Sequence, residues 1–152
     1  VKGARLDLRG LAVLNYMRVI RAYAGALYLP PDVAPAQALA DRPRILELHY
    51  FHAISAEDFR ESTAEMIRRN TTAREFSEIS RQVSAMNALY RGVRPGDRYR
   101  AEYDPARGTT LYLGGRALGT VEGAAFSRAF FSIWIGNNPI DRTFRDRLLG
   151  KR

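Results

Sequence analysis

The sequence lacks cysteine and has only two histidines and two lysines among its 152 residues. Without cysteine the chain can form no disulfide, no thiolate nucleophile and no cysteine-ligated metal site. The histidines, His49 and His52, lie in or beside a predicted strand, where an odd spacing places side chains on opposite faces. Because a metal site needs three or four convergent ligands, we expect no metal.

Other signatures of catalysis and of membrane insertion are also missing. The sequence has no glycine-rich loop of the P-loop or dinucleotide-binding type and no nucleophile-elbow glycine pattern. Its longest apolar runs, such as 22–30 and 129–135, are far shorter than the roughly 20 residues that a membrane-spanning helix needs. We therefore expect a soluble protein without a cofactor.

The chain is basic, but its positive charge is dispersed. With 24 Lys and Arg against 16 Asp and Glu, the net charge is +8, which raises nucleic acid or an anionic membrane as a partner. The arginines are scattered singly, and Arg68-Arg69 is the only adjacent pair of them. Phosphate-binding surfaces usually cluster their cations among aromatic residues. We therefore expect no nucleic-acid partner.

Residues 1–152 are predicted to form a single domain. A composition of 46% hydrophobic and 11% aromatic residues is sufficient for a substantial core in a chain of this size. No internal repeat, low-complexity stretch or long linker divides the sequence.

Hydrophobic alternation predicts most of the strands. Strands are expected at 5–8, 16–29 and 44–51, with the first two joined near Gly10. After the turn signal at 95–97, further strands are predicted at 98–103, 109–113 and 116–120. The Gly114-Gly115 pair between the last two is typical of a tight hairpin.

Capping signals mark two helices between these groups of strands. Ser55 with Asp58 and Thr72 with Glu75 have the spacing of capping boxes. The second helix carries an apolar stripe that we expect to be buried, namely Phe76, Ile79, Val83, Met86 and Tyr90. An apolar helix ending near Gly136 and a short helix at 141–149 follow. This order predicts an α+β fold, an antiparallel sheet with a layer of helices on one face.

Arg21 and Tyr23 are polar side chains on an otherwise apolar strand face, beside Val19 and Gly25. One interpretation is that this face meets water and Arg21 extends into it. The other is that helices cover the face and Arg21 holds an anion or a polar ligand head, because a buried guanidinium needs a partner. The pattern alone leaves both open.

Segment 21–30, RAYAGALYLP, resembles the KVYVAGLYLP strand of bacterial chalcone isomerase-like proteins. Further similarities follow in order at 54–60, 86–90, 94–98, 108–115, 129–136 and 148–150. The resemblance covers essentially the whole chain and implies the chalcone isomerase fold, an open-faced sheet whose helical layer encloses a cleft. Plant relatives with this fold include true isomerases and fatty-acid-binding proteins.

The resemblance also implies a compartment. Bacterial members of the family are usually exported with a cleaved signal peptide, and this sequence begins at Val1 without an initiator methionine. We therefore expect a periplasmic or otherwise exported protein whose signal peptide has been removed.

The site of the true isomerases implies where a ligand would lie here. Their arginine near the first hairpin stabilises developing negative charge, and its place falls on Asn15, so the cation is missing there. The place of their strand threonine falls on Tyr23. Around the first long helix, Thr63 and Met66 stand where a tyrosine and a lysine would be, and Asn70 retains the asparagine.

We therefore expect a non-catalytic protein that binds a small apolar or anionic amphiphilic molecule, such as a fatty acid, between sheet and helices. The predicted ligand-binding residues are Asn15, Arg21, Tyr23, Thr63, Met66 and Asn70. Arg21 and Tyr23 are expected to point into the space beneath the first helix.

Two alternatives remain open. An isomerase or lyase acting on a phenolic or enolisable compound would use Arg21, Tyr23 and Asn70, with Arg9 or Arg18 as a substitute cation. A protein-interaction domain without a ligand is the other, if large side chains fill the cleft. Those side chains are Phe59, Met66, Phe130 and Trp134.

Overall fold

The structure, a computed structural model, describes residues 3–16 and 20–151. Within these residues six strands form one antiparallel sheet in the order of the sequence. The strands are β1 (Asp7–Tyr16), β2 (Ile20–Leu29), β3 (Arg44–Tyr50), β4 (Arg98–Asp104), β5 (Gly108–Leu113) and β6 (Arg116–Val121). The helices are α1 (Ala56–Arg69), α2 (Ala73–Leu89), α3 (Ala124–Ile135) and α4 (Arg142–Leu148), with a short 3-10 helix at Pro35–Gln37. The predicted α+β class is confirmed.

The first hairpin differs from the prediction. Instead of turning near Gly10, β1 continues through it to Tyr16 and pairs Gly10 with Leu27 of β2. A Cβ on Gly10 would lie 2.1 Å from the carbonyl oxygen of Arg147. Gly10 is therefore required by the close approach of the C-terminal helix. The predicted strand at 16–29 is confirmed over 20–29, whereas its first residue belongs to β1 and residues 17–19 lie outside the described residues.

Helix α4 covers the β1–β2 hairpin on the same face as the other helices. A Cβ on Gly25 would lie 2.7 Å from the ring of Phe144, so this second glycine also permits the close packing of α4. Asp141 caps α4 by accepting a hydrogen bond from the Phe144 amide at 2.7 Å. The chain thus folds its last described helix against its first two strands.

The capping box of α2 is confirmed, and of the capping box predicted for α1 the Ser55 cap is confirmed. The Thr72 hydroxyl accepts from the Glu75 amide at 3.1 Å, and the Glu75 carboxylate accepts from the Thr72 amide at 2.8 Å. Ser55 caps α1 by accepting from the Asp58 amide. The apolar stripe of α2 is buried except at its first member, Phe76, which is half-buried.

Helix α3 lies in the middle of the helical layer, in contact with α1, α2 and α4. Nine of its twelve residues are buried, so it is apolar on nearly every side. The opposite face of the sheet is uncovered, and Leu11 of β1 is 65% exposed there. Within the described residues no helix has the length and apolarity needed to cross a bilayer.

Candidate functional site

A cavity of about 260 Å³ lies between the covered face of the sheet and helices α1 and α3. Its walls are mainly aromatic, with Tyr23, Tyr50, Phe59, Tyr90, Tyr99 and Trp134 among the lining residues. The volume lies between the roughly 150 Å³ of an engineered cavity that binds benzene and the roughly 300 Å³ at which pockets for drug-sized ligands begin. The cavity therefore matches a compact ligand.

The aromatic wall is held by ring contacts centred on Tyr50. Its ring centroid lies 5.3 Å from that of Tyr23, 5.5 Å from Phe59 and 6.0 Å from Tyr99, all in edge-to-face geometry. Phe59 also stacks on Tyr90 at 5.2 Å with an interplanar angle of 12°. Such pairs add stability beyond their buried area, so the wall is preformed.

Three of the four cavity tyrosines use their hydroxyls within the protein. The Tyr23 hydroxyl accepts a hydrogen bond from the Trp134 indole at 3.1 Å. The Tyr90 and Thr63 hydroxyls share a hydrogen bond of 2.7 Å. The Tyr99 hydroxyl donates to the Arg91 carbonyl at 2.7 Å and accepts from the Arg91 amide at 2.8 Å.

The hydroxyl of Tyr50 is the exception. The side chain is only 3% exposed and lines the cavity. Among the described residues no hydrogen bond to this hydroxyl occurs, and its oxygen is not among their fully enclosed unpaired atoms, so it borders the open space of the cavity. It is therefore available to water or to whatever else occupies the cavity.

The polar groups inside the cavity are neutral hydroxyls. Burial raises the pKa of Tyr23, Tyr50 and Tyr90 well above the usual value of 10.0, so all three remain protonated at neutral pH. None of the described residues that line the cavity is a lysine, arginine or histidine, and the charged group among them is the exposed Asp58. The interior can therefore donate and accept hydrogen bonds but cannot neutralise an anion.

Two of the six predicted site residues, Tyr23 and Thr63, lie together in this cavity. Met66 is buried in the core without lining the cavity, and its sulfur accepts a contact from Arg69 at 3.4 Å. Asn70 lines a separate cleft. Its side-chain amide donates to the Met66 and Asn138 carbonyls, both at 2.9 Å, and its oxygen accepts from the Asn138 amide, so it joins α1 to the loop after α3.

Arg21 and Asn15 lie outside the cavity. They are cross-strand neighbours, both exposed, and the guanidinium of Arg21 lies 5.0 Å from the Phe51 ring centroid. The predicted orientation of Arg21 is therefore wrong, whereas that of Tyr23 is confirmed. Because Arg21 is exposed, its guanidinium keeps its hydration and lies over an aromatic ring, which avoids the desolvation of a buried charge.

Of the two substitute cations, Arg9 does not line the cavity. Arg9 is held by the segment after β2, where it donates to the Val33 carbonyl at 2.6 Å and the Pro30 carbonyl at 3.2 Å. Arg18 lies outside the described residues. The sequence did carry one missed signal, since alternation places Tyr50 on the apolar face of β3 with Leu46 and Leu48, where its hydroxyl needs a partner.

Comparisons with known proteins agree with this architecture. Residues 1–150 match the family model described as chalcone isomerase-like, so the chain belongs to the chalcone isomerase-like family. The resemblance seen in the sequence is thereby confirmed. A comparison with curated proteins found no match.

Among solved structures, the chain is similar to the crystal structure of a fatty-acid binding protein from Arabidopsis thaliana, with a TM-score of 0.73 and 15% sequence identity. The similarity covers 97% of this chain and 88% of the plant chain. At this level of identity the likeness shows the shared fold alone.

Proposed function

We propose that the protein binds a compact, neutral, predominantly apolar molecule in the cavity between the sheet and helices α1 and α3. The observation that carries this proposal is the cavity of about 260 Å³ with its aromatic wall and unpartnered Tyr50 hydroxyl. Ligand sites are typically concave and mostly apolar, with a few polar groups that fix the orientation of the ligand. This cavity, lined mainly by apolar and aromatic side chains with tyrosine hydroxyls among them, has that character.

The charge of the lining favours a neutral ligand over an ionised fatty acid. A carboxylate inside the cavity would lose its hydration without gaining a cationic partner, which is strongly unfavourable. At the exposed side it would meet Asp58, a group of the same charge. The anionic amphiphile expected from the sequence therefore has less support here than the small apolar molecule.

The cavity chemistry supports binding rather than acid–base catalysis. A general base needs a pKa near the operating pH, whereas burial raises the pKa of the cavity tyrosines Tyr23, Tyr50 and Tyr90. The interaction-domain alternative required large side chains to fill the cleft. Phe59 and Trp134 instead line it and leave it open.

The site of action remains a proposal that rests on the family. Because bacterial relatives are usually exported, we propose that this protein binds its ligand in the periplasm or outside the cell. Fractionation of the native host with an antibody against the protein tests this, and recovery of the protein with cytoplasmic markers would count against it.

Binding is tested by filling the cavity. Ala101 of β4 is 5% exposed and lines the cavity, so Ala101→Leu places a larger side chain in the ligand space. Trp134, the only tryptophan of the sequence, also lines the cavity and can transfer energy to a bound fluorophore. We expect the neutral fluorophore N-phenyl-1-naphthylamine to bind saturably, with energy transfer from Trp134, and Ala101→Leu to weaken binding by at least about tenfold.

The matched control is Ala24→Leu, the same change on the other face of the sheet. It should leave the affinity unchanged. Absence of saturable energy transfer in the wild-type protein, or equal affinity in Ala101→Leu, would refute the proposed site.

A further inference from the structure

We infer that Tyr50 selects ligands that carry a hydrogen-bond acceptor, such as a ketone, ester or lactone oxygen, on a compact apolar body. This inference rests on the proposed function and specifies the ligand class of the same cavity. It follows from which hydrogen-bonding groups the protein leaves unused there.

The hydroxyl of Tyr50 lies at the boundary of the cavity and has no hydrogen-bond partner among the described residues. The ring is fixed by edge contacts to Tyr23, Phe59 and Tyr99, so the hydroxyl cannot turn away to find a partner without breaking them. A ligand that fills the cavity excludes water from this accessible hydroxyl, and leaving it unpaired in the complex is then unfavourable. A ligand atom that pairs with the hydroxyl avoids this penalty, so such a ligand binds more tightly.

The neighbouring Tyr23 indicates that an acceptor is required. Tyr23 and Tyr50 are direct partners across β2 and β3, with ring centroids 5.3 Å apart. The Tyr23 oxygen already accepts from Trp134, and no acceptor for its hydrogen occurs within the described residues. Two adjacent tyrosines therefore have hydrogens to donate, and a carbonyl oxygen, with two lone pairs, matches such a pair.

The same arrangement rejects other ligand classes. A charged carboxylate has acceptor oxygens but no cation among the described lining residues to offset its desolvation. A pure hydrocarbon fits the apolar wall but leaves the Tyr50 hydroxyl unpaired. A neutral carbonyl compound satisfies both the wall and the hydroxyl.

The test uses two ligands of nearly equal shape. In 2-isopropenylnaphthalene a CH₂ group replaces the carbonyl oxygen of 2-acetylnaphthalene, so only the acceptor differs. Both are measured by displacement of N-phenyl-1-naphthylamine. We expect the wild-type protein to bind the ketone about tenfold more tightly, as one hydrogen bond to a buried group allows.

Tyr50→Phe should reduce this preference by weakening only the ketone, because one of the two donors is lost. The control Tyr28→Phe removes a hydroxyl on the uncovered face of the sheet and should keep the preference. If Tyr50→Phe keeps the full preference for the ketone, the inference is wrong while the proposed function stands. If the fluorophore binds and neither naphthalene displaces it, the ligand class is wrong. If the fluorophore itself fails to bind the wild-type protein, the proposed function fails.

Discussion

The two ends of β3 bury polar side chains beneath the same helical layer in opposite ways. At the first end, Arg44 is 1% exposed, and its guanidinium lies 4.6 Å from the ring centroid of Tyr103 and 4.7 Å from that of Phe131. It donates to the Ala40 carbonyl at 2.8 Å and to the Ser127 hydroxyl at 2.9 Å. Aromatic rings and acceptors from the protein therefore occupy most of this end.

At the other end, Tyr50 is 3% exposed and its ring is equally well packed, but its hydroxyl borders an open cavity. Depth of burial is thus the same at both ends. The difference lies in how far the protein supplies the partners of the polar group. Both terminal nitrogens of Arg44 have acceptors and its Nε has none among the described residues, whereas the Tyr50 hydroxyl has no described partner and borders the cavity. Where the protein supplies most of the partners, as at Arg44, the residue holds the fold together, and where it does not, as at Tyr50, the residue is available to a ligand.

Arg44→Ala should have the largest effect on stability. It removes a fully buried side chain and leaves the acceptors at Ala40 and Ser127 without their donor, so we expect a loss of about 3–5 kcal/mol in the free energy of unfolding. Burial lowers the pKa of Arg44 to about 10, so the wild-type residue is still charged at neutral pH. Urea denaturation measures the change.

The control for this change is Arg42→Ala. Arg42 forms an exposed ion pair with Asp32 in the same segment, so its removal should leave the stability nearly unchanged. Equal losses in the two variants would show that Arg44 is not the anchor of its end of the strand.

Alkaline pH should have the second-largest effect, a fall in the free energy of unfolding that comes from the tyrosines at the cavity end of β3. The pKa values of Tyr23, Tyr50 and Tyr90 are raised in the folded state above the 10.0 of an exposed tyrosine, because burial disfavours the phenolate. The native state therefore keeps protons that the unfolded chain releases. Stability should be unaffected below pH 10 and fall above it by about 1.4 kcal/mol per pH unit for each tyrosine.

Urea titrations in steps above pH 10 measure this fall, and it should be shallower in Tyr50→Phe. The phenolate absorbance of the native protein gives an independent check. If these tyrosines ionise near their usual pKa of 10.0 while the protein stays folded, the cavity is wetter than described.

The smallest predicted changes lie within the cavity itself. Thr63→Val removes a hydroxyl that is hydrogen-bonded to Tyr90, so the stability should fall by about 1–2 kcal/mol. Tyr50→Phe removes a hydroxyl without a described protein partner and should change the stability of the ligand-free protein by less than about 0.5 kcal/mol. Thermal and urea denaturation compare the two, and a larger loss in Tyr50→Phe would contradict the assignment.

Features that depend on neighbours in sequence could be predicted. The capping box of Thr72 and Glu75 and the buried stripe of α2 are set by spacings of three and four residues, and both are confirmed. The role of Gly10 could not be predicted, because it depends on Arg147, which is distant in sequence. A glycine that admits another element and a glycine that permits a turn look alike in the sequence.

The placement of the predicted site residues was predictable to the same extent. Tyr23 and Thr63 were expected on faces that the family fold turns inward, and both line the cavity. Their role in binding stays a prediction. Arg21 was misplaced because alternation gives the face of a strand but does not show where the covering helices end. The free hydroxyl of Tyr50 could not be predicted, because it depends on which neighbours fail to bond with it.

Because α4 packs on the first hairpin, this part of the fold can form only after α4 has been synthesised. Tyr23 is synthesised before Trp134 and Phe144, which pack against it. Until those two residues have been made, the cavity lacks the wall that α3 supplies. A molecule that needs both walls can distinguish a finished chain from a nascent one, so the bound form should be enriched in protein that has completed its fold.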